Sequence, residues 1–196
     1  MNKSQKKNSH LYSAPQHVKI IGGRWRGTKL PVILKDNIRP TPARVRETLF
    51  NWLQTYIEGS HCLDLFAGSG ALGFESASRG AGHISLIDND PKVVQLLSQQ
   101  VQKLECDIAD TKCIDGLEYL DSREKRFDIV YLDPPFSMFN LEEVLEKVSG
   151  SKVMKSEGLI YVESTAEKFP KSLPIGWTWK RQSKAGQVEY GLISTS

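Results

Sequence analysis

The chain of 196 residues is poor in cysteine: Cys62, Cys106 and Cys113 form no close pair and show no metal-ligand spacing. Three cysteines cannot all pair, which fits a reducing cytosol and argues against a disulfide scaffold or a structural zinc site, so no metal is expected. No apolar run approaches the roughly 18 residues that a membrane-spanning helix needs. The opening stretch MNKSQKKNSHLYSAP is polar throughout and lacks the apolar segment of a secretory signal, so a cytoplasmic protein is expected. There is no internal repeat. What remains is ordinary globular composition, 39% hydrophobic and 25% charged, which excludes wholesale disorder. The length suits one compact domain, or one domain with a small appendage.

Acid is nearly missing from the front of the chain. Residues 1–46 hold eleven Lys or Arg against the single acid Asp36, a local charge of +10, while the other 150 residues carry −7. A basic front on an acidic body implies a polyanionic partner docking at one end. Lys3, Lys6 and Lys7 could be no more than a solubilising tail. Arg24, Arg26, Lys29, Arg39, Arg44 and Arg46 lie in structured-looking sequence and point to nucleic acid.

After a polar tail over residues 1–15, HVKIIGGRWRGTKLPVI reads as two short strands around a turn, with Gly22 and Gly23 free to take positive φ. RPTP then opens a helix, with Thr41 expected as N-cap and Pro42 at its first position. Val45, Leu49, Trp52, Leu53 and Tyr56 recur at helical spacing and form its buried face. From His61 onward, apolar runs at 62–66, 84–87, 127–132 and 159–162, with a weaker one at 108–113, alternate with helical patterns at 71–79, 91–104 and 141–148. That alternation means a parallel sheet covered on both faces. Residues 177–181 and 188–193 flank KAGQ and make a hairpin, so the last strand is expected to run antiparallel. A mostly parallel sheet ending in an antiparallel hairpin is the methyltransferase form of the doubly wound α/β fold. His61 and His83 stand beside strands with no evident acid partner, and Trp177 and Trp179 are expected in the core.

CLDLFAGSGALG holds a literal G-x-G-x-x-G, running from Gly68 through Ser69 and Gly70 to Gly73, between a strand and a helix. Asp88 follows Gly68 by 20 residues at the end of the next strand, where a ribose-binding acid belongs. Taken alone, this pattern says NAD or FAD. Asp64, four residues before Gly68, decides otherwise. A dinucleotide places its pyrophosphate at this helix N-terminus, where a carboxylate would repel it. S-adenosylmethionine instead brings an ammonium and a sulfonium, which a carboxylate attracts. Asp115, after the third strand, is a candidate acceptor for the adenine amine, with Asp107 and Asp110 as competitors.

FDIVYLDPPF ends a strand with Asp133, Pro134, Pro135 and Phe136. An exocyclic amine on a nucleobase is a poor nucleophile because its lone pair is delocalised into the ring. Two acceptors fixed on its N–H groups draw the nitrogen toward tetrahedral geometry and aim that lone pair. The Asp133 carboxylate and the Pro134 carbonyl can supply them, and Pro135 restricts the residue before it. Phe136 offers a flat face for a base swung out of its stack. The Asp133 carboxylate would also stabilise the positive charge that moves onto nitrogen.

On KIIGGRWRGTKL, RPTPARVRETLFNWL, LDLFAGSGALG, YLDPPF, LIYVES and KAGQVEYG, the chain resembles the bacterial 16S ribosomal RNA guanine-N2 methyltransferases of the small-subunit family over residues 18–193. The resemblance implies a class I S-adenosylmethionine-dependent domain over 41–196 and a basic hairpin extension over 16–40. It implies methyl transfer to the N2 amine of one guanine in 16S rRNA, within the small subunit or its assembly intermediate, by a monomer. Asp64, Gly68, Ser69, Gly70, Asp88, Asp115 and Arg44 would hold the cofactor, and Arg24, Arg26 and Arg39 the RNA. The family's ribose acid is commonly Glu where this chain has Asp88. Arg44 lies in a first helical turn, where the helix dipole disfavours a cation, which suggests use on a methionine carboxylate or an RNA phosphate, unless it merely pairs with Glu47. Three rivals remain: an adenine-N6 or other amino methyltransferase, a non-catalytic RNA-binding module, and a nicotinamide oxidoreductase. Intact Asp64, Asp88 and Asp133 weigh against the non-catalytic module, and Asp64 with the D-P-P-F tetrad weighs against the oxidoreductase.

Overall fold

A computed structural model describes residues 17–33, 41–121, 126–134 and 140–195. The expected tail over 1–15 and the sites at Arg39, Pro135 and Phe136 lie outside the described residues. Two short strands, β1 (His17–Lys19) and β2 (Lys29–Pro31), pair antiparallel with Val18 opposite Leu30. They form a small sheet separate from the main one.

The main sheet has seven strands: β3 (His61–Asp64), β4 (His83–Asp88), β5 (Ala109–Cys113), β6 (Phe127–Leu132), β7 (Met154–Thr165), β8 (Thr178–Ala185) and β9 (Val188–Ser194). Their spatial order is β5-β4-β3-β6-β7-β9-β8. The first five lie parallel, and β9 enters antiparallel between β7 and β8. The expected hairpin is therefore β8–β9, with its later strand inserted inward. Connections are made by α2 (Ala71–Ser78), α3 (Pro91–Leu104), α4 (Gly116–Tyr119) and α5 (Leu141–Gly150), while α1 (Ala43–Trp52) leads into the sheet.

Period-two alternation sends successive strand residues to opposite faces, and each face has its own core. Ile84, Leu86, Ile129 and Tyr131 pack with Leu72, Phe74, Leu97 and Leu49 on one side. Ile87, Val130, Leu132 and Ile160 pack with Val144, Leu145 and Val148 on the other. Both faces are dry, which is why these strands read as unbroken apolar runs. The helix α3 shows its start in sequence: Asp90 accepts the Lys92 N–H at 2.9 Å, and Pro91 takes the first position.

Several local expectations change. The helix α1 begins at Ala43 with Pro42 as its cap residue, and no side chain caps it. The Thr41 hydroxyl is drawn away by Asp133 instead, 92 positions along the chain. Tyr56 lies beyond α1 and is 41% exposed, with the Lys180 ammonium 5.1 Å above its ring. Gly23 does take positive φ, at 73°, whereas Gly22 is needed for close approach: a Cβ there would stand 2.5 Å from Arg79 Nη2. His83 has an acid after all, Asp110 Oδ1 at 3.5 Å from its Nε2. The short helix α4 is announced by no apolar period. Trp179 stacks on Phe169 at 5.1 Å, and both Trp177 and Trp179 pack against the second core.

The small sheet is stitched to the body through Glu75, a fully buried acid of α2. Its two oxygens accept the N–H groups of Ile21 and Gly22 at 2.7 and 2.8 Å. Arg79 Nε donates to it at 2.7 Å, and Arg46 Nη1 lies 3.9 Å away. The hydroxyl of Ser78 continues the seam, donating to the Gly22 carbonyl and accepting the Trp25 N–H. Among the described residues, no helix is long and apolar enough to cross a membrane.

Candidate active site

The strand order reverses at β3, which has β4 on one side and β6 on the other. Open α/β sheets place ligands at such a switch point, outside the carboxyl ends of the strands. Three acids gather there: Asp64 ends β3, Asp88 ends β4, and Asp133 follows the last residue of β6. Parallel pairing forces this convergence, since Asp64 sits opposite both Leu86 and Tyr131 in register.

The loop between β3 and α2 is shaped by glycine. Gly68 and Gly70 have φ of 50° and 72°, a region that side-chain-bearing residues rarely adopt. A Cβ on Gly68 would meet only the Phe66 carbonyl at 3.9 Å, so the loop is open above it, whereas a Cβ on Gly70 would strike Phe74 and Leu97 at 2.7 Å. Gly73 lets α2 lie on β4, because a Cβ there would come within 2.2 Å of Leu86. Ser69 stands half-buried between the first two glycines.

Backbone N–H groups engage two of the acids, and a side-chain hydroxyl engages the third. Asp88 accepts the N–H of Gly68 at 3.0 Å with one oxygen and that of Asp90 at 2.9 Å with the other. Asp64 is 3% exposed and accepts the Gly73 N–H at 3.1 Å. It is not the solvated strand-end acid that its position alone would allow. Burial, with the negative charges of Asp133 and Asp88 added, pushes its carboxyl up to about 7. Asp133 is also raised by burial, and the Thr41 hydroxyl, donating to Oδ2 at 3.0 Å, lowers it in part. The charged groups acting on Asp64 are thus two further carboxyls. A cleft walled by mutually repelling acids under an open glycine turn fits a ligand that brings positive charge, as the ammonium and sulfonium of S-adenosylmethionine do.

Asp115 caps α4, its Oδ1 accepting the N–H groups of Leu117 at 2.8 Å and Glu118 at 3.2 Å. Pro134 is buried directly after Asp133. Arg44 is exposed in the first turn of α1, and Arg24 and Arg26 are exposed on the turn between β1 and β2. Arg26, Lys19, Pro42, Thr41 and Arg46 line a groove of about 510 Å³ between the small sheet and the start of α1. Thr41 forms part of its wall and hydrogen-bonds Asp133, so this one residue joins the groove to the strand-end acids.

Two further polar residues stand out. Arg46, not Arg44, is the buried arginine of α1, 3% exposed and donating to the carbonyls of Lys19 at 2.9 Å and Thr41 at 3.4 Å. Its spacing four before Phe50 on the apolar face is the signal that marks it. Glu163, near the carboxyl end of β7, is 2% exposed and accepts the Tyr161 hydroxyl at 2.7 Å. Burial and the nearby Asp133 raise its carboxyl.

The strand order, the glycine turn and the strand-end acids define a class I S-adenosylmethionine-dependent methyltransferase fold. Solved structures agree. A chain from Escherichia coli, provisionally described as the methyltransferase yhhF, superposes with a TM-score of 0.84 at 40% identity, covering 92% of this chain and 98% of that one. A far more divergent chain, SMU.776, crystallised in complex with SAH, shares the fold at a TM-score of 0.67 and 16% identity, over 95% of this chain and 58% of its own. The chain belongs to the family described as Conserved hypothetical protein 95, whose family model matches residues 18–194. Two curated relatives are each named Ribosomal RNA small subunit methyltransferase D. The Escherichia coli K12 protein is 42% identical over 187 residues, or 95% of this chain and 93% of its own. The Haemophilus influenzae protein is 41% identical over 184 residues, or 92% of this chain and 95% of its own.

Proposed function

We propose that this protein transfers a methyl group from S-adenosylmethionine to the exocyclic N2 amine of a guanine in 16S rRNA of the small ribosomal subunit. The observation that carries the reading is the convergence of Asp64, Asp88 and Asp133 on adjacent strand ends around an open glycine turn. The two relatives named as small-subunit rRNA methyltransferases support the RNA substrate.

Each acid then has a role. Asp88 accepts from the ribose hydroxyls with the lone pairs left after Gly68 and Asp90 are served. Asp64 sits beneath the amino-acid end as a buried counter-charge, and Gly68, Ser69 and Gly70 line that end. The oxygen of Asp115 not engaged in capping α4 accepts from the adenine amine. When bound, the cofactor supplies an activated methyl on a sulfonium. Asp133 and the Pro134 carbonyl accept from the guanine amine and aim its lone pair, and Phe136 supports the displaced base. Because the amine gains positive charge as the new bond forms, the Asp133 carboxylate binds it more strongly in the transition state than before.

Arg24, Arg26 and Arg39 contact RNA phosphates from the extension over 16–40. Arg44 joins them, since its exposure favours a phosphate over a methionine carboxylate. The protein acts as a cytoplasmic monomer on the small subunit or its assembly intermediate. The test is to incubate it with labelled methyl donor and small-subunit particles from cells lacking it, then map the modified base. A methyl group on the N2 of one guanine is expected. Labelled adenine, or no label in RNA at all, would refute the assignment.

A further inference from the structure

We propose that Thr41 is a positioning residue for methyl transfer: its hydroxyl, held at the start of α1, fixes the Asp133 carboxylate that faces the acceptor amine. The inference rests on Asp133 being the acceptor for that amine.

Thr41 is 8% exposed, and its hydroxyl donates to Asp133 Oδ2 at 3.0 Å. Thr41 also lies close enough to Glu163 to favour the ionised form of its carboxyl. A threonine hydroxyl has one proton to donate, and here it goes to Asp133. Glu163 lies nearby, deeply buried, with its carboxyl raised by that burial and by Asp133. The backbone of Thr41 cannot drift, because Arg46 Nε donates to its carbonyl at 3.4 Å while Arg46 Nη1 reaches the Lys19 carbonyl at 2.9 Å. Threonine is also stiff at χ1, which suits a fixed donor. Its hydroxyl is absent from the N-cap role that a residue before a helix would ordinarily fill, and α1 starts uncapped by any side chain. That omission is intelligible if the hydroxyl has other work.

The charged and titratable neighbours of this unit come from every side. Asp64 on β3 acts with Asp133, and Asp88 on β4 acts on Asp64. Tyr161 and Glu163 approach from β7, and Arg46 from α1 attracts Glu163. Burial disfavours the ionised form of Asp133, and the Thr41 hydroxyl opposes it by donating to that form.

The experiment is single-turnover methyl transfer on small-subunit particles across pH, with parent, Thr41→Val, Thr41→Ser and Asp133→Ala, and with donor binding measured separately. Thr41→Val keeps the shape and removes the hydroxyl. It is expected to cut kcat about tenfold or more, leave donor affinity unchanged, and move the acid limb of the rate profile upward by about one pH unit. Thr41→Ser is expected to restore both rate and limb. If Thr41→Val does not fold, Thr41→Ala carries the same comparison. A hydroxyl-free variant with the parent's rate and limb overturns the inference. So does one that loses activity with an unmoved limb and no rescue by serine, since that is a packing effect. Full activity in Asp133→Ala would instead overturn the reaction-centre reading beneath it.

Discussion

The backbone N–H of Gly68 donates to the Asp88 carboxylate over 3.0 Å, so the first glycine of the turn and the acid ending β4 hold each other in place. An acid in this position both shapes the turn and faces whatever the turn receives. Asp88→Ala is therefore expected to weaken S-adenosylmethionine binding roughly 10- to 100-fold, at about 1–3 kcal/mol for the charged hydrogen bonds lost. Calorimetric titration measures it, and unchanged affinity would place the cofactor elsewhere.

Asp133→Ala is expected to lower kcat about 10²- to 10³-fold while donor affinity changes little, since the lost interaction belongs mainly to the transition state. Asp133→Asn should keep part of the rate, because the amide oxygen still accepts one hydrogen bond. If Asn is as inactive as Ala, Asp133 acts as a proton acceptor rather than as an orienting charge.

Replacing Arg24 and Arg26 together with Ala should weaken RNA binding and flatten its salt dependence, by up to about 0.7–0.9 log units of slope per lost phosphate contact. Donor binding should not change. Equal methylation by variant and parent across salt concentrations would make the turn between β1 and β2 purely structural.

Asp64 makes the ligand-free protein pH-sensitive. Its carboxyl stands at 3.8 in the unfolded reference and about 7 in the fold, so the folded state binds the proton more tightly. Between those values the folded form carries more protons, and this contribution to stability falls as pH rises. The penalty is absent below about pH 4 and fully developed above about pH 7, reaching about 4 kcal/mol. Asp64→Asn should gain stability over the parent as pH is raised from 5 to 8, by urea titration without ligand. A difference that stays flat over that range contradicts the assignment.

Glu75→Ala strips the acceptor from two backbone N–H groups and leaves Arg46 buried beside no carboxylate at that point. Breaking a buried pair in this way is expected to cost about 3–5 kcal/mol. The Ile21 and Gly22 amides should lose hydrogen-exchange protection ahead of the main sheet. A loss under about 1 kcal/mol would show that the seam is held by packing instead.

The central strands β3, β4 and β6 were legible because both faces of the sheet are dry there, which turns each into an apolar run that needs no partner to recognise. The edge strands β5 and β8 are half-buried or exposed and carry no such run. Asp64, Asp88 and Asp133 were legible for the related reason that an acid closing such a run has no packing explanation. Thr41 was not. Local rules make the residue before Pro42 a cap, and only a contact across 92 positions overrides them. Arg44 drew attention through the helix dipole, a local effect, while Arg46 is buried by the small sheet and by Glu75, which no window around α1 contains. Glu163 ends an apolar run just as the other three acids do, and the same rule applied to YVES would have found it. The order of β8 and β9 depends on tertiary pairing and leaves no period in the chain.

Fixing the small sheet around a buried carboxylate, with Ser78 and Arg46 as further ties, has a mechanical consequence. Ile21, Gly22, Arg46 and Arg79 all converge on Glu75, so the turn that bears Arg24 and Arg26 is braced like a bracket on a wall rather than hung from a hinge. A braced wall cannot close over a guest. If Arg26 meets RNA as proposed, the span from it across the groove to Thr41 is a gauge of set width. Duplex of regular form would then meet a fixed slot, while a strand already unpaired or distorted would enter without the cost of deforming to fit.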